Sequence, residues 1–307
     1  MKRPHLQSRP VLLLAVAWQV MAFAYGDDFI DDAALKADFE SRLTTLYQRG
    51  GLPTGAKTAD QLRKVAGSGK HPLPPAPSLP AATDPAALPT AANLSTAFAS
   101  ARSATLVLGH LYLCGKCDKY HANLAGGILL SADGLAITNY HVLDFREAIV
   151  FGAMTDSGEV FAIDEVLSAS KSDDIALVRL RGAKDLPHVT LQSKIESGDD
   201  LFVISHPDGH FYTLTKGILA RKYLTPKERA PRLQITADFA KGSSGCGIFN
   251  LRGELVGLVT STSSIYYNES EGRKENLQMV VKAGVPAESI AKLFQAPTTA
   301  PPVTRDP

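Results

Sequence analysis

Three residues, far apart in the chain, have the chemistry to make a hydroxyl attack. Ser244 sits in Lys241-Gly242-Ser243-Ser244-Gly245-Cys246-Gly247, where small neighbours let backbone N–H groups approach a developing anion and a tight turn leaves the Oγ exposed. His141 directly follows the β-prone run Ile137-Thr138-Asn139-Tyr140, where a strand hands over to a loop. Asp173 and Asp174 stand at the mouth of the apolar run Ile175 to Val178. A free serine hardly ionises at neutral pH, so it needs an imidazole to take its proton. The imidazole in turn needs a carboxylate to fix its tautomer. Each residue also has a bland account: Gly-Ser-Ser-Gly suits a plain loop, a lone histidine is usually a surface or satisfied core residue, and Asp before a strand is commonly a solvated turn. The order His, Asp, Ser, each at a strand edge, is much harder to meet by accident.

The elements around these residues are short apolar runs separated by turn signals. They include Thr105 to Leu113, Gly126 to Leu130, Ala136 to Thr138, Ala148 to Phe151, Ile175 to Leu180, Leu201 to Ile204, Leu233 to Thr236, Ile248 to Phe249 and Leu255 to Thr260. Ser131-Ala132-Asp133-Gly134 and Asn250-Leu251-Arg252-Gly253 read as hairpin turns. This spacing predicts an all-β sandwich or a pair of barrels. Pro286 to Phe294 reads as a short amphipathic helix with proline near its start. Upstream, Ala33, Ala34, Leu35, Phe39, Leu43, Leu46 and Tyr47 recur at helical spacing until Gly50-Gly51, and Leu62 and Val65 suit a second helix.

The stretches ITNYHVL, DDIALVRL and KGSSGCGIFNLRGELVGLVT resemble the three signature regions of trypsin-like serine peptidases, closest to the bacterial HtrA/Deg-type branch. ISHPDGHFYTLTKGIL resembles that family's passage into its second barrel. The likeness covers roughly residues 100 to 285. It implies a chymotrypsin-like double β-barrel, here with an N-terminal helical extension and a short C-terminal helix. It also implies His141 as general base, Asp174 as orienting carboxylate (with Asp173 the runner-up), and Ser244 as nucleophile. The oxyanion hole would be the N–H groups of Gly242 and Ser244. The chain departs from the pattern at Cys246, where the family usually has proline, and at Ser243, where digestive trypsins have an aspartate. Asp238, six residues before Ser244, stands where trypsins carry the acid of the specificity pocket, which would select basic side chains. The chain as read has no room for the PDZ domain that many HtrA-type proteins carry, so their cage assembly is not carried over.

The expected organisation is a signal peptide over 1–24, the helical extension over 25–66, a Pro/Ala-rich linker over 67–95, the peptidase domain over 96–295 and a disordered tail over 296–307. Lys2, Arg3 and Arg9 precede the apolar run Val11 to Val20, and Ala22-Phe23-Ala24 fits a small-x-small cleavage site. Cleavage there would take the formal charge from +1 to −2 and leave no membrane span, giving a periplasmic or secreted protein. No basic run suggests a nucleic-acid partner. The expected partners are polypeptide substrates, with no cofactor. The expected activity is that of a serine endopeptidase working through an acyl-enzyme, and its alternative is a catalytically silent, peptide-binding pseudoprotease on the same fold.

One further cluster stands apart. His110, Cys114, Cys117 and His121 have ligand types and spacing suited to zinc, although a Cys114–Cys117 hairpin disulfide with surface histidines is the favoured account in an exported chain.

Overall fold

The computed structural model describes residues 29–68, 93–270 and 272–294. The expected signal peptide and tail, and most of the Pro/Ala-rich stretch, lie outside the described residues. No helix among the described residues is long and apolar enough to cross a membrane.

Among the described residues, twelve strands close into two six-stranded antiparallel barrels. The first comprises β1 (Thr105–Leu113), β2 (Tyr120–Leu129), β3 (Leu135–Thr138), β4 (Phe151–Met154), β5 (Val160–Ser170) and β6 (Ile175–Leu180), in spatial order β1-β2-β3-β6-β5-β4. The second comprises β7 (Asp200–Ser205), β8 (Thr213–Leu224), β9 (Pro231–Ile235), β10 (Gly247–Asn250), β11 (Leu255–Ser270) and β12 (Arg273–Pro286), in order β10-β11-β12-β9-β8-β7. This is the chymotrypsin-like arrangement the sequence predicts. Closure removes unpaired strand edges, so each inward-facing set of side chains can be fully buried. Leu106, Leu108, Ile137 and Leu177 fill the first barrel, and Val203, Leu219, Leu233, Ile248 and Val259 the second.

The strands that the apolar runs do not mark are β5, β8 and β12, whose exposed or mixed faces dilute the hydrophobic signal. β4 is displaced from Ala148–Phe151 to Phe151–Met154. Ile149 and Val150 instead exchange backbone hydrogen bonds with Leu111, at 2.8 and 3.0 Å.

Among the described residues five α-helices accompany the barrels: α1 (Asp32–Gln48), α2 (Gly55–Ser68), α3 (Leu94–Ser103), the single turn α4 (Tyr140–Leu143) and α5 (Ala287–Lys292). α1 inserts Phe39 and Leu43 into the first barrel's core, with Leu43 seated over Gly152. Glu40 of α1 accepts the Ala122 N–H of β2 at 2.8 Å. α2 contributes the fully buried Leu62, and its first residue, Gly55, donates to Ala148 O at 3.0 Å. α3 has no counterpart among the sequence expectations. Asn93 caps it by accepting the Thr96 N–H at 2.9 Å, and its buried face is made of Ala97 and Ala101. A face that small reads as linker composition in one dimension.

Leu43→Ala should cost about 2–5 kcal/mol of stability, as cavity-forming core truncations do. Arg42→Ala, which removes only an exposed ion pair to Asp38, should stay within about 0.5 kcal/mol. Urea unfolding of both variants separates an α1 that is part of the core from one that merely rests on it; equal midpoints would reject the former.

Candidate active site

His141 reaches its position because β3 ends at Thr138 and Asn139 starts the α4 turn, which places the imidazole at the cleft between the barrels. Asp174 precedes β6 with φ of +63°, a left-handed conformation that aspartate tolerates better than most residues. Asn139 Nδ2 holds it there by donating to Asp174 O at 2.9 Å.

The geometry at the cleft is compact. His141 Nε2 is 2.9 Å from Ser244 Oγ, and Nδ1 is 2.9 and 3.0 Å from the two carboxylate oxygens of Asp174. A carboxylate accepts and cannot donate, so the proton of neutral His141 belongs on Nδ1 and the Nε2 lone pair faces the serine. Asp174 accepts two further bonds, from the His141 backbone N–H at 3.1 Å and from Thr260 Oγ at 2.6 Å. Asp173 points elsewhere, accepting from Ser170 Oγ at 2.9 Å. Thr260 lies on β11 of the second barrel, so the carboxylate of the first barrel is anchored from both. No sequence pattern marks that threonine, because only the packing of the barrels brings it near.

Beside Ser244, neither the Gly242 nor the Ser244 N–H has a hydrogen-bond partner among the described residues. The orientation of the first has a visible cause. Asp208 N–H donates to Lys241 O at 2.7 Å, and in a planar trans peptide the Gly242 N–H then points the opposite way. Gly242 has φ of +93°, and a Cβ there would stand 2.7 Å from His206 O, so only glycine fits.

The Asp208 loop is itself braced. His206, fully buried, accepts the Tyr212 N–H on Nδ1 at 3.1 Å and donates from Nε2 to Leu106 O at 3.2 Å. Burial holds its pKa down at about 4. Asp32, the first residue of α1, accepts the Phe211 N–H at 3.0 Å. From α3, Arg102 lies over the Tyr212 ring at 4.9 Å. Asp32 and Lys36 also line the cleft of about 560 Å³ that holds His141, Gly242 and Ser244. The helical extension is therefore part of the site's surroundings, a role its amphipathic pattern does not disclose.

Three sequence expectations are corrected here. Asp238 does not form the base of a pocket: its side chain is 79% exposed and its Oδ1 pairs with Lys282 Nζ at 2.6 Å. The alternation along the segment after β9 buries Ala237 and Phe239 and turns Asp238 outward. The hairpin cysteines are thiols, not a disulfide, with Sγ atoms 3.5 Å apart. Nor is His110 a surface residue. It is buried on β1, stacked on Phe145 with ring centroids 4.7 Å apart, and burial lowers its pKa to about 4. Cys246 is fully buried between the barrels, and its thiol is pushed up to about 12 by desolvation.

Residues 125–258 match a family model described as a trypsin-like peptidase domain. The chain is 32% identical over 140 residues to a probable periplasmic serine endoprotease, DegP-like, of Ectopseudomonas mendocina (strain ymp), covering 44% of this chain and 29% of that protein. A protein of the same description from Hahella chejuensis (strain KCTC 2396) is 33% identical over 144 residues, covering 46% and 29%. The chain thus spans less than a third of the length of these curated relatives. Among solved structures, an HtrA-type protease AlgW with tripeptide is similar in fold, with a TM-score of 0.53 and 21% identity, covering 65% of this chain and 61% of that one. These likenesses agree with the resemblance seen in the sequence: the double barrel is similar to the trypsin-like peptidase domains of HtrA-type proteases.

The two buried histidines give a pH signature. Both have native pKa values near 4, against about 6.5 unfolded. Only the unfolded chain takes up these protons in that window, so their contribution is complete above pH 6.5 and is lost as pH falls toward 4. Each contributes a slope of at most about 1.4 kcal/mol per pH unit. His206→Gln, which keeps one donor and one acceptor, should show a shallower fall in denaturant midpoint between pH 6.5 and 4 than the parent. An unchanged slope would remove His206 from this account.

Proposed function

We propose that this chain is an exported serine endopeptidase that hydrolyses peptide bonds through an acyl-enzyme on Ser244. The observation that carries the reading is the line Asp174–His141–Ser244, with two unpartnered N–H groups beside the serine. In this mechanism His141 Nε2 takes the Oγ proton as Oγ bonds to the substrate carbonyl carbon. The carbonyl oxygen becomes an anion facing the N–H groups of Gly242 and Ser244. Each such donor is worth about 2.7–4 kcal/mol where it has been removed in other enzymes. Collapse of the intermediate breaks the C–N bond, and the leaving amine receives the proton from Nε2. A water then repeats the sequence against the ester, giving up its proton to His141 and releasing the acid and Ser244. Asp174 stays ionised throughout and stabilises the imidazolium.

The DegP-like relatives are described as periplasmic, which supports export together with the charged, then apolar, N-terminal stretch. The AlgW structure holds a tripeptide, which supports a polypeptide substrate. A pseudoprotease would need the same fold but not the serine–imidazole contact or two free donors, so these observations favour the enzyme. The exposed, lysine-paired Asp238 argues against trypsin-like basic specificity.

Wild type should label with a fluorophosphonate probe and cleave unfolded casein, and Ser244→Ala should do neither. A folded wild type that neither labels nor cleaves would make the binding module the better reading. Thr260→Val should lower kcat by about tenfold with KM nearly unchanged, on the scale of one lost hydrogen bond to a charged group. Asp238→Asn should leave the residue preference of cleavage, read by mass spectrometry of casein fragments, as it was; a lost preference for Lys or Arg would restore the pocket role.

A further inference from the structure

The tip of the β1–β2 hairpin gathers two sulfur donors and one imidazole that the proposed hydrolysis does not use. Cys114 follows the last residue of β1 and Cys117 lies in the turn, which Gly115 allows with φ of +70°. His121 is the second residue of β2, directly across from Tyr112. The Sγ atoms of the two cysteines are 3.5 Å apart, and Cys117 Sγ is 3.1 Å from His121 Nε2. All three potential ligand atoms lie within 4.8 Å of one another.

We propose that Cys114, Cys117 and His121 form a binding site for a thiolate-preferring divalent cation, zinc foremost, with the fourth position of the tetrahedron left to water or another external donor. Tetrahedral bonds of about 2.3 Å to sulfur and 2.0–2.1 Å to nitrogen place ligand atoms about 3.5–3.8 Å apart. The two pairs at 3.5 and 3.1 Å therefore need shifts of a few tenths of an ångström, and the third pair, within 4.8 Å, closes by a small side-chain rotation. A disulfide would account for the two sulfurs but not for the imidazole nitrogen converging on one of them. His110, buried against Phe145 and Phe151, drops out of the four-residue set that the spacing suggests. On binding, each thiol releases its proton to solvent, and the two thiolates balance the 2+ charge. The metal would tie the turn to the start of β2. The next residues of that strand, Ala122 and Asn123, line the cleft, so the cation sits at the tip of the hairpin that forms one of its walls.

The site is independent of the proposed hydrolysis and is tested without it. The full chain, reduced with a non-chelating phosphine, is equilibrated with zinc and freed of unbound metal. About one equivalent per chain should be retained, as for a single site. Cys117→Ser and His121→Ala, verified as folded by circular dichroism, should retain less than a tenth of that, whereas Cys246→Ala should retain all of it. Cobalt added to the reduced wild type should give the intense visible bands of a tetrahedral ion with thiolate charge transfer, a readout that does not depend on any variant folding. No zinc retained by the reduced wild type, or equal retention by His121→Ala, overturns the proposal. So does an octahedral cobalt spectrum without thiolate charge transfer.

Discussion

The close approach of the two barrels at Gly126 and Gly245 sets everything else. Gly126 N–H donates to Ser244 O at 2.8 Å, and Thr138 Oγ donates to Gly126 O at 2.8 Å. A Cβ on Gly126 would stand 2.2 Å from Cys246 Sγ, and one on Gly245 would stand 2.4 Å from Gly126 O. Side chains at either position would push the barrels apart. The serine lies on one barrel and the imidazole on the other, and proton transfer requires them within hydrogen-bond reach. A separation of even an ångström would therefore disable the proposed chemistry.

Around that contact the polar groups are arranged before any substrate arrives. The Asp174 carboxylate is held by Thr260 from across the interface and by the backbone of His141 on its own side. The Gly242 N–H is aimed by Asp208, whose loop is held by the buried His206 and by Asp32 of α1. The helical extension also grips the segment that follows His141: Arg63 and Asp60 of α2 pair with Asp144 and Arg146. Donors fixed in this way need no reorganisation when charge develops, which is where electrostatic catalysis draws most of its strength.

The residues with the strongest chemistry were legible because their local context is short-range. A histidine at a strand exit, an aspartate at a strand entrance and a serine among glycines each declare their setting within a few positions. The same holds for strands whose buried faces are continuous, such as β1, β6 and β7. Elements that present mixed faces, such as β8 and β12, leave a weak period, and the small-residue face of α3 looks like linker until a barrel is packed against it. Asp238 was misread because its distance from Ser244 says nothing of which side of the chain its carboxylate takes.

By itself the sequence determined the residue types, their order and the alternation that closes two barrels, since these depend on neighbours along the chain. Tertiary structure alone decided that Thr260 and Asp208 brace the candidate site, that Asp238 faces solvent and Lys282, that His110 is buried apart from the hairpin cysteines, and that α1 reaches the cleft. Those outcomes depend on contacts between positions tens to more than a hundred residues apart, whose meeting is fixed by packing and register and leaves no local pattern to read.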